Sequence, residues 1–227
     1  MKDLVVYTCV TGGYDSPSRP SALPGWADWV LLTEKDFTDN RYPKLLPHKA
    51  LEGYDYSLWL DGNVDIVSDL FWDRIRALMD SGCLYAGIIH PQRDCVYEES
   101  VRILSNDREG MLPLLRTVRF LRSEGFPAHA GLNENNVILR RHCDPQVVRM
   151  DELWWEMYRK FSRRDQMTWS YCMWKTGLES VPVLPPGSDV RNHPFFRYTP
   201  HGKPYRKNLF KDALRRVKVF VYTRLVH

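Results

Sequence analysis

Asp55-Tyr56-Ser57-Leu58-Trp59-Leu60-Asp61-Gly62-Asn63-Val64-Asp65-Ile66 is the stretch on which the fold turns. Ser57 to Leu60 make a short apolar run, the pattern of a strand covered on both faces. The run ends on Asp61, Asn63 and Asp65, with Gly62 between the first two. Oxygen ligands spaced along a strand end can chelate a hard cation, and a glycine there lets a phosphate or metal approach the backbone. The alternative is a plain turn, which Asp-Gly and Gly-Asn pairs form readily. All three polar side chains would share one face if the strand continued. With Gly62 bending the chain, Asp61 and Asn63 are the better ligand candidates.

Working outward, Leu4 to Val10 and Trp29 to Thr33 are predicted strands, and Lys44 to Lys49 leads into a short helix. Ser68 or Asp69 can cap a helix to Met79 or Asp80, with Leu70, Phe71, Ile75, Leu78 and Met79 on one face. Leu84 to Ile89, Asn136 to Arg140 and Val181 to Leu184 read as strands. Asp94 to Leu104, Met111 to Glu124, Asp144 to Phe161 and Asp165 to Thr176 read as helices, two of them stopped by Gly125 and Gly177. Strands and helices alternate, which predicts an α/β fold with a mostly parallel sheet flanked by helices. Ligands in such folds sit beyond the C-terminal strand ends, which puts Thr8 to Asp15, Asp61 to Asp65 and His90 on one rim. Neither GxGxxG nor GxxxxGK[ST] occurs, so a Rossmann dinucleotide site and a P-loop have no support.

The length of 227 residues suits one large domain, or a domain with an appendage. Eight Trp and twelve Tyr fill cores by default, but such rings also line sugar and base sites. The five cysteines are widely spaced with no CxxC pair, which predicts a reducing compartment and no zinc site. The N-terminus runs directly into a strand and no apolar run spans a bilayer, so a cytoplasmic protein is expected.

The net charge of +4 hides an asymmetry: residues 201–227 hold eight Lys/Arg against one acid, +7, so the rest sums to −3. A mildly acidic body is not the broad basic surface of a duplex-binding domain, so nucleic acid is not an expected partner. In the tail, Phe210, Leu214, Val217, Val221 and Leu225 recur at helical spacing among basic residues. Such a helix either packs its apolar stripe on the domain or lies on an anionic membrane surface, peripheral at the inner face.

Three more groups of residues bear on chemistry. Arg163-Arg164-Asp165-Gln166 opens a helix: Asp165 is either a plain N-cap or a carboxylate that orients or deprotonates an acceptor hydroxyl. The two arginines can balance it or bind phosphate. His201-Gly202-Lys203-Pro204-Tyr205 offers a histidine for a metal shell and a Gly-Lys pair for a diphosphate, though a loop histidine is more often surface. Tyr7, Thr8 and Tyr14 border the first strand end, where an aromatic ring can stack on a nucleobase; for Tyr7 the competing reading is core packing.

Five segments in order strengthen the ligand reading: Tyr7 to Asp15, Pro43 to Lys49, Trp59 to Asn63, His90 to Glu99, and Arg164 to Gln166. Together they resemble the glycosyltransferase-like family once catalogued as domain of unknown function 616, over residues 4 to 178. The resemblance implies a GT-A-like, Rossmann-type nucleotide-binding fold with a metal-chelating Asp-x-Asp motif. Asp61-Gly62-Asn63 takes that position, with an amide in place of the second acid and Asp65 as a possible substitute. Asp165-Gln166 is similar to the acidic motif that GT-A enzymes place near the acceptor. His201 to Tyr205 looks like a shortened His-Gly-Lys-Pro-Trp element of family 8 glycosyltransferases, where the histidine binds metal and the lysine meets the diphosphate.

The expected protein is therefore a metal-assisted glycosyltransferase, with residues 1–200 as the catalytic domain and 201–227 as a basic helical tail. Donor contacts are expected at Tyr7, Thr8, Asp15, Lys44, Asp61, Gly62, Asn63 and Lys203, and acceptor contacts at His90, Arg164 and Gln166. Mn²⁺ or Mg²⁺ would sit on Asp61, Asn63 and His201, with Asp165 as general base. The partners are a nucleotide diphosphate sugar and a glycan or lipid-linked acceptor. The rivals are a non-catalytic sugar or nucleotide binder, favoured by Asn63, and a metal-dependent phosphohydrolase.

Overall fold

The computed structural model describes residues 2–13, 17, 19–200 and 209–226. The elements run β1 (Lys2–Val10), β2 (Ala27–Thr33), α1 (Arg41–Leu45), α2 (Pro47–Ala50), β3 (Tyr54–Leu60), β4 (Val64–Ile66), α3 (Asp69–Asp80) and β5 (Tyr85–Ile89). They continue with α4 (Val96–Ser105), α5 (Met111–Ser123), β6 (Asn133–Arg140), α6 (Pro145–Lys160), α7 (Gln166–Thr176), β7 (Val181–Pro182), β8 (Phe196–Tyr198) and α8 (Leu209–Val226). The expected α/β architecture is present: a six-stranded sheet in the order β2-β1-β3-β6-β5-β7. β1 runs parallel to β2 and β3, and β5 parallel to β7, while β6 is antiparallel to both neighbours. The C-terminal ends of β1, β3 and β5 therefore share one rim with the start of β6.

Both sheet faces are covered, which explains the continuous apolar runs of β1 and β3. Val5, Tyr7, Trp59 and Ile138 face a core with Leu114 and Leu121 of α5 and Met150 and Trp154 of α6. Leu4, Val6, Leu58 and Leu60, one residue out of phase, face α3 through Phe71, Ile75 and Leu78. Trp154 is fully buried, so truncating it to alanine costs about 3–5 kcal/mol. α6 starts at Pro145 behind Asp144, whose side chain accepts the Gln146 N–H, and α7 stops at Gly177 in the left-handed region (φ 68°).

Three features depart from expectation. β7 ends at Pro182, short of the expected Leu184, although the Val183 N–H still donates to the Gly87 carbonyl at 2.9 Å. The segment after it, expected as loop, returns to pair β8 with β4 in a small antiparallel sheet, Val64 opposite Tyr198 and Ile66 opposite Phe196. The helical tail packs on α4 and α5 through the opposite face from the expected stripe. Tyr222 and Val226 are fully buried, and Arg122 donates to the Val226 carbonyl. Leu214, Val217, Val221 and Leu225 remain 42–59% exposed. Both faces of this helix carry apolar residues, so periodicity alone did not choose between them; the fit of Tyr222 against its neighbours did.

Candidate active site

A cleft of about 720 Å³ opens on the rim where β3, β5 and β6 meet. Its size is in the usual range for a small-molecule site. β3 delivers Asp61, which begins a turn closed by the Val64 N–H on the Asp61 carbonyl. The segment is a turn, as one of its two readings had it; its Asp61 and Asn63 line the cleft, and Gly62 does not. Gly62 has no positive φ, so the backbone conformation does not demand glycine there.

Asp61 is tightly engaged. Its Oδ1 accepts from the Trp59 indole N–H at 2.8 Å and from Lys44 Nζ at 3.1 Å. The same ammonium lies 2.9 Å from Asp165 Oδ2, and Arg41 Nε lies 3.7 Å from that oxygen. Lys44 is almost wholly buried, so three elements (α1, β3 and the start of α7) meet on one buried cation. A buried pair depends on further fixing. Arg140 supplies it: its guanidinium donates to the Lys44 carbonyl at 2.6 Å, to the Tyr7 hydroxyl and to Asp151.

Asp165 occupies the N-cap position of α7 but makes no capping bond; its carboxylate serves Lys44 instead. Burial alone would raise its pKa, yet Lys44 and Arg41 outweigh burial and hold it far below the usual carboxylate range. A base of such low proton affinity is a weak proton acceptor near neutral pH. Asp165 is thus the ionised partner of Lys44 and Arg41, a pairing that a role as general base would first have to break.

Asn63 donates its amide N–H to the Thr199 carbonyl at 3.0 Å, and among the described residues no hydrogen bond engages its side-chain oxygen or Oδ2 of Asp61. One carboxylate and one amide oxygen fit a hexacoordinate cation that takes its remaining ligands from phosphate and water. Asp65 does not join them. It is turned to Ser21, which donates at 2.8 and 2.9 Å, and to Arg197, so it cannot stand in for the missing second acid. Among the described residues, the one group of His, Cys and acidic side chains close enough to hold a metal is Cys95, Glu98 and His129, outside the cleft lining.

His90 lines the cleft and accepts the Gln92 and Arg93 N–H groups on Nδ1. Burial, then the neighbouring Arg93, lowers its pKa, so the ring is neutral at pH 7. Arg164 and Gln166 line the cleft too, with Gln166 donating to the Asn133 carbonyl at 2.9 Å. The structure thus brings together Lys44, Asp61, Asn63, His90, Arg164, Asp165 and Gln166. It does not bring in Tyr7 or Thr8. Tyr7 is fully buried with its ring edge-on to Trp59, and Thr8 is 1% exposed, because both belong to the interior of β1. Asp15, His201 and Lys203 lie outside the described residues.

Several lining residues were missed. Tyr198 of β8 is the one Phe, Tyr or Trp among the described lining residues, with the Arg191 guanidinium 5.2 Å from its ring centroid. Among the described lining residues, Arg41, Arg93, Arg102, Arg108 and Arg191 join Lys44 and Arg164, seven cations against Asp61, Glu99, Glu134, Asp165 and Asp189. The acids are all paired: Glu99 with Arg93, Glu134 and Asp189 with Arg191, Asp61 and Asp165 with Lys44. Arg102, Arg108 and Arg164 have no carboxylate partner among the described residues, so the cleft is suited to an anion. Asn135 and Asn136, at the start of β6, also line it. Their signal was present: a polar run, Asn133-Glu134-Asn135-Asn136, enters an otherwise apolar strand.

The family model of the TOD1/MUCI70 glycosyltransferase-like domain matches residues 25–184. The chain belongs to the TOD1/MUCI70 glycosyltransferase-like family. The match takes in every described lining residue except Asp189, Arg191 and Tyr198. A curated relative, the probable hexosyltransferase MUCI70 of Arabidopsis thaliana, is 28% identical over 153 residues, 62% of this chain. The aligned region spans 26% of that protein, so about a quarter of its length. The resemblance drawn from the motifs therefore holds at the level of a glycosyltransferase-like family.

Proposed function

We propose that this TOD1/MUCI70-family chain transfers a hexose from a nucleoside diphosphate donor to a glycan or lipid-linked acceptor. The observation that carries the reading is the set of three guanidinium groups with no ion pair to a described carboxylate, Arg102, Arg108 and Arg164, on the cleft that holds Asp61 and Asn63. A diphosphate is acceptor-only and polyanionic, and arginine forks match it. Tyr198, in place of the buried Tyr7 and Thr8, offers the aromatic surface for a base. Lys203 would add a further cation to the diphosphate, and His90 and Gln166 would meet the acceptor.

The free oxygens of Asp61 and Asn63 would hold Mn²⁺ or Mg²⁺, with His201 as a third ligand. Such an ion supplies charge neutralisation to the departing diphosphate. Lys44 and Asp165 keep Asp61 fixed, and the arginines stabilise negative charge that grows on the leaving group. A second reading, a binder that holds the donor without transfer, is favoured by the amide at Asn63 and by the engagement of Asp61 Oδ1 with Lys44.

The tail supports a place at an anionic membrane face, in keeping with a cytoplasmic, peripheral protein. The outward face of α8 carries Leu214, Val217, Phe220, Val221 and Leu225, all more than 40% exposed. Its sequence holds Lys211, Arg215, Arg216, Lys218 and Arg224 against Asp212. The neighbouring α5 adds exposed Arg116, Arg119 and Arg122 and no acid. No described helix is long and apolar enough to cross a membrane. An apolar strip flanked by cations fits an interfacial helix.

The test is a panel of UDP- and GDP-hexoses with Mn²⁺, read as nucleoside diphosphate release with and without acceptor glycans. Metal-dependent release supports transfer. Donor binding without release selects the binder. Failure of every nucleotide sugar to bind overturns both.

A further inference from the structure

Asn135 is 7% exposed, and neither its amide nitrogen nor its amide oxygen has a hydrogen-bond partner among the described residues. Asn136, 8% exposed, donates to Glu134 at 3.1 Å but leaves its own amide oxygen unpartnered. Both line the cleft. Buried polar atoms are nearly always satisfied, and an exception calls for a ligand or a water. Two adjacent exceptions among the residues that line the cleft leave polar atoms for a ligand to meet.

Position narrows the ligand. The Asp61 N–H donates to the Asn136 carbonyl at 2.9 Å, so the asparagine pair borders the residue on which the diphosphate is proposed to rest. The local backbone is shaped to hold them. The β5–β6 ladder shifts register between Gly87 and Ile88, where the rim begins. A Cβ on Gly87 would come within 2.6 Å of the Asn133 amide, so glycine makes room for the polar run.

Chemistry narrows it further. The free atoms are two amide oxygens, which need donors, and one amide NH₂, which needs acceptors. A phosphate has no hydrogen to give an amide oxygen. A sugar hydroxyl both donates and accepts, and so matches the complete set. We propose that Asn135 and Asn136 form the subsite that reads the hydroxyl groups of the transferred hexose. This rests on the glycosyltransferase reading above, and it assigns donor-sugar selectivity to the first residues of β6.

The experiment measures binding of UDP, GDP, UDP-glucose, UDP-galactose and GDP-mannose by calorimetry with Mn²⁺, for wild type, Asn135→Ala and Asn136→Ala. The readout is the sugar increment, the affinity for the nucleotide hexose divided by that for its nucleoside diphosphate. Each variant is expected to lose about fivefold of the increment, the worth of an ordinary hydrogen bond, with nucleoside diphosphate affinity unchanged. Asn135→Leu should lose the increment and melt no lower than wild type without ligand, because it removes a polar group that lacks a partner. If the variants keep the increment while wild type binds a nucleotide hexose, the subsite assignment falls and the glycosyltransferase reading stands. Equal loss of nucleoside diphosphate affinity would mark the pair as a base reader and overturn the assignment. If wild type binds none of the five compounds, both readings fall. A lower-melting Asn135→Leu with an intact increment would mark a structural water site instead.

Discussion

Lys44 Nζ lies 2.9 Å from Asp165 Oδ2, and the lysine side chain is only 2% exposed. The same ammonium reaches Asp61 at 3.1 Å. One buried cation therefore pairs with both acidic motifs that mark this cleft. It also explains why Asp165, an N-cap by position, does not cap.

Lys44→Met should destabilise the protein by about 3 kcal/mol at pH 7, because a buried carboxylate loses its partner. The sign of the pH dependence follows from Asp165, whose folded pKa is depressed. Its contribution is present above the unfolded carboxylate pKa and is lost as pH falls below it. The gap between wild type and Lys44→Met should thus be full at pH 7 and shrink towards about pH 3. Urea midpoints across that range check it. A gap of constant size would show that the pair contributes nothing through Asp165.

Asp61→Asn should keep the fold, since an amide oxygen can still accept from Trp59 Nε1. It removes the one charged oxygen of the proposed cation site. Turnover should fall by about a hundredfold or more, the scale for loss of a charge-stabilising group. Nucleoside diphosphate release with and without Mn²⁺, beside a circular dichroism spectrum, separates loss of chemistry from loss of structure. Unfolding would mark Asp61 as structural.

His142 is fully buried with both ring nitrogens unpartnered, and burial together with Arg140 lowers its pKa to about 4. The unfolded ring takes up a proton near 6.5, so stability should fall as pH drops from 6.5 towards 4. The loss is about 3 kcal/mol when complete. His142→Leu should flatten that part of the profile. Melting temperatures of both proteins over this window decide it, and equal slopes would rule His142 out.

Val217→Glu combined with Val221→Glu should leave the fold intact, because both side chains point away from the packed face of α8. Binding to phosphatidylcholine vesicles containing phosphatidylserine should drop severalfold, and wild-type binding should weaken as salt rises. Co-sedimentation reads both. If wild type ignores these vesicles but dimerises through this face, a second copy is its partner and the membrane assignment is wrong.

Local periodicity carried much of the fold. β1, β3, α3, α6 and α7 were legible because alternation, helical spacing and caps are read within a few residues. Asp61, Asn63, Arg164 and Asp165 were legible for the same reason, as polar punctuation at element ends. Tyr7 and Thr8 were misplaced because sitting near a strand end does not say which way a side chain faces.

By itself, the sequence determined the α/β alternation, the acidic turn after Trp59 and the resemblance to a glycosyltransferase-like family. Tertiary structure alone decided that Lys44 joins Asp61 to Asp165, that β8 returns to β4 with Tyr198, that Asn135 is buried without a partner, and that α8 packs through Tyr222. The reason is range. Propensity and periodicity act between near neighbours, whereas burial, ion pairing and the choice of helix face depend on which distant segments fit together.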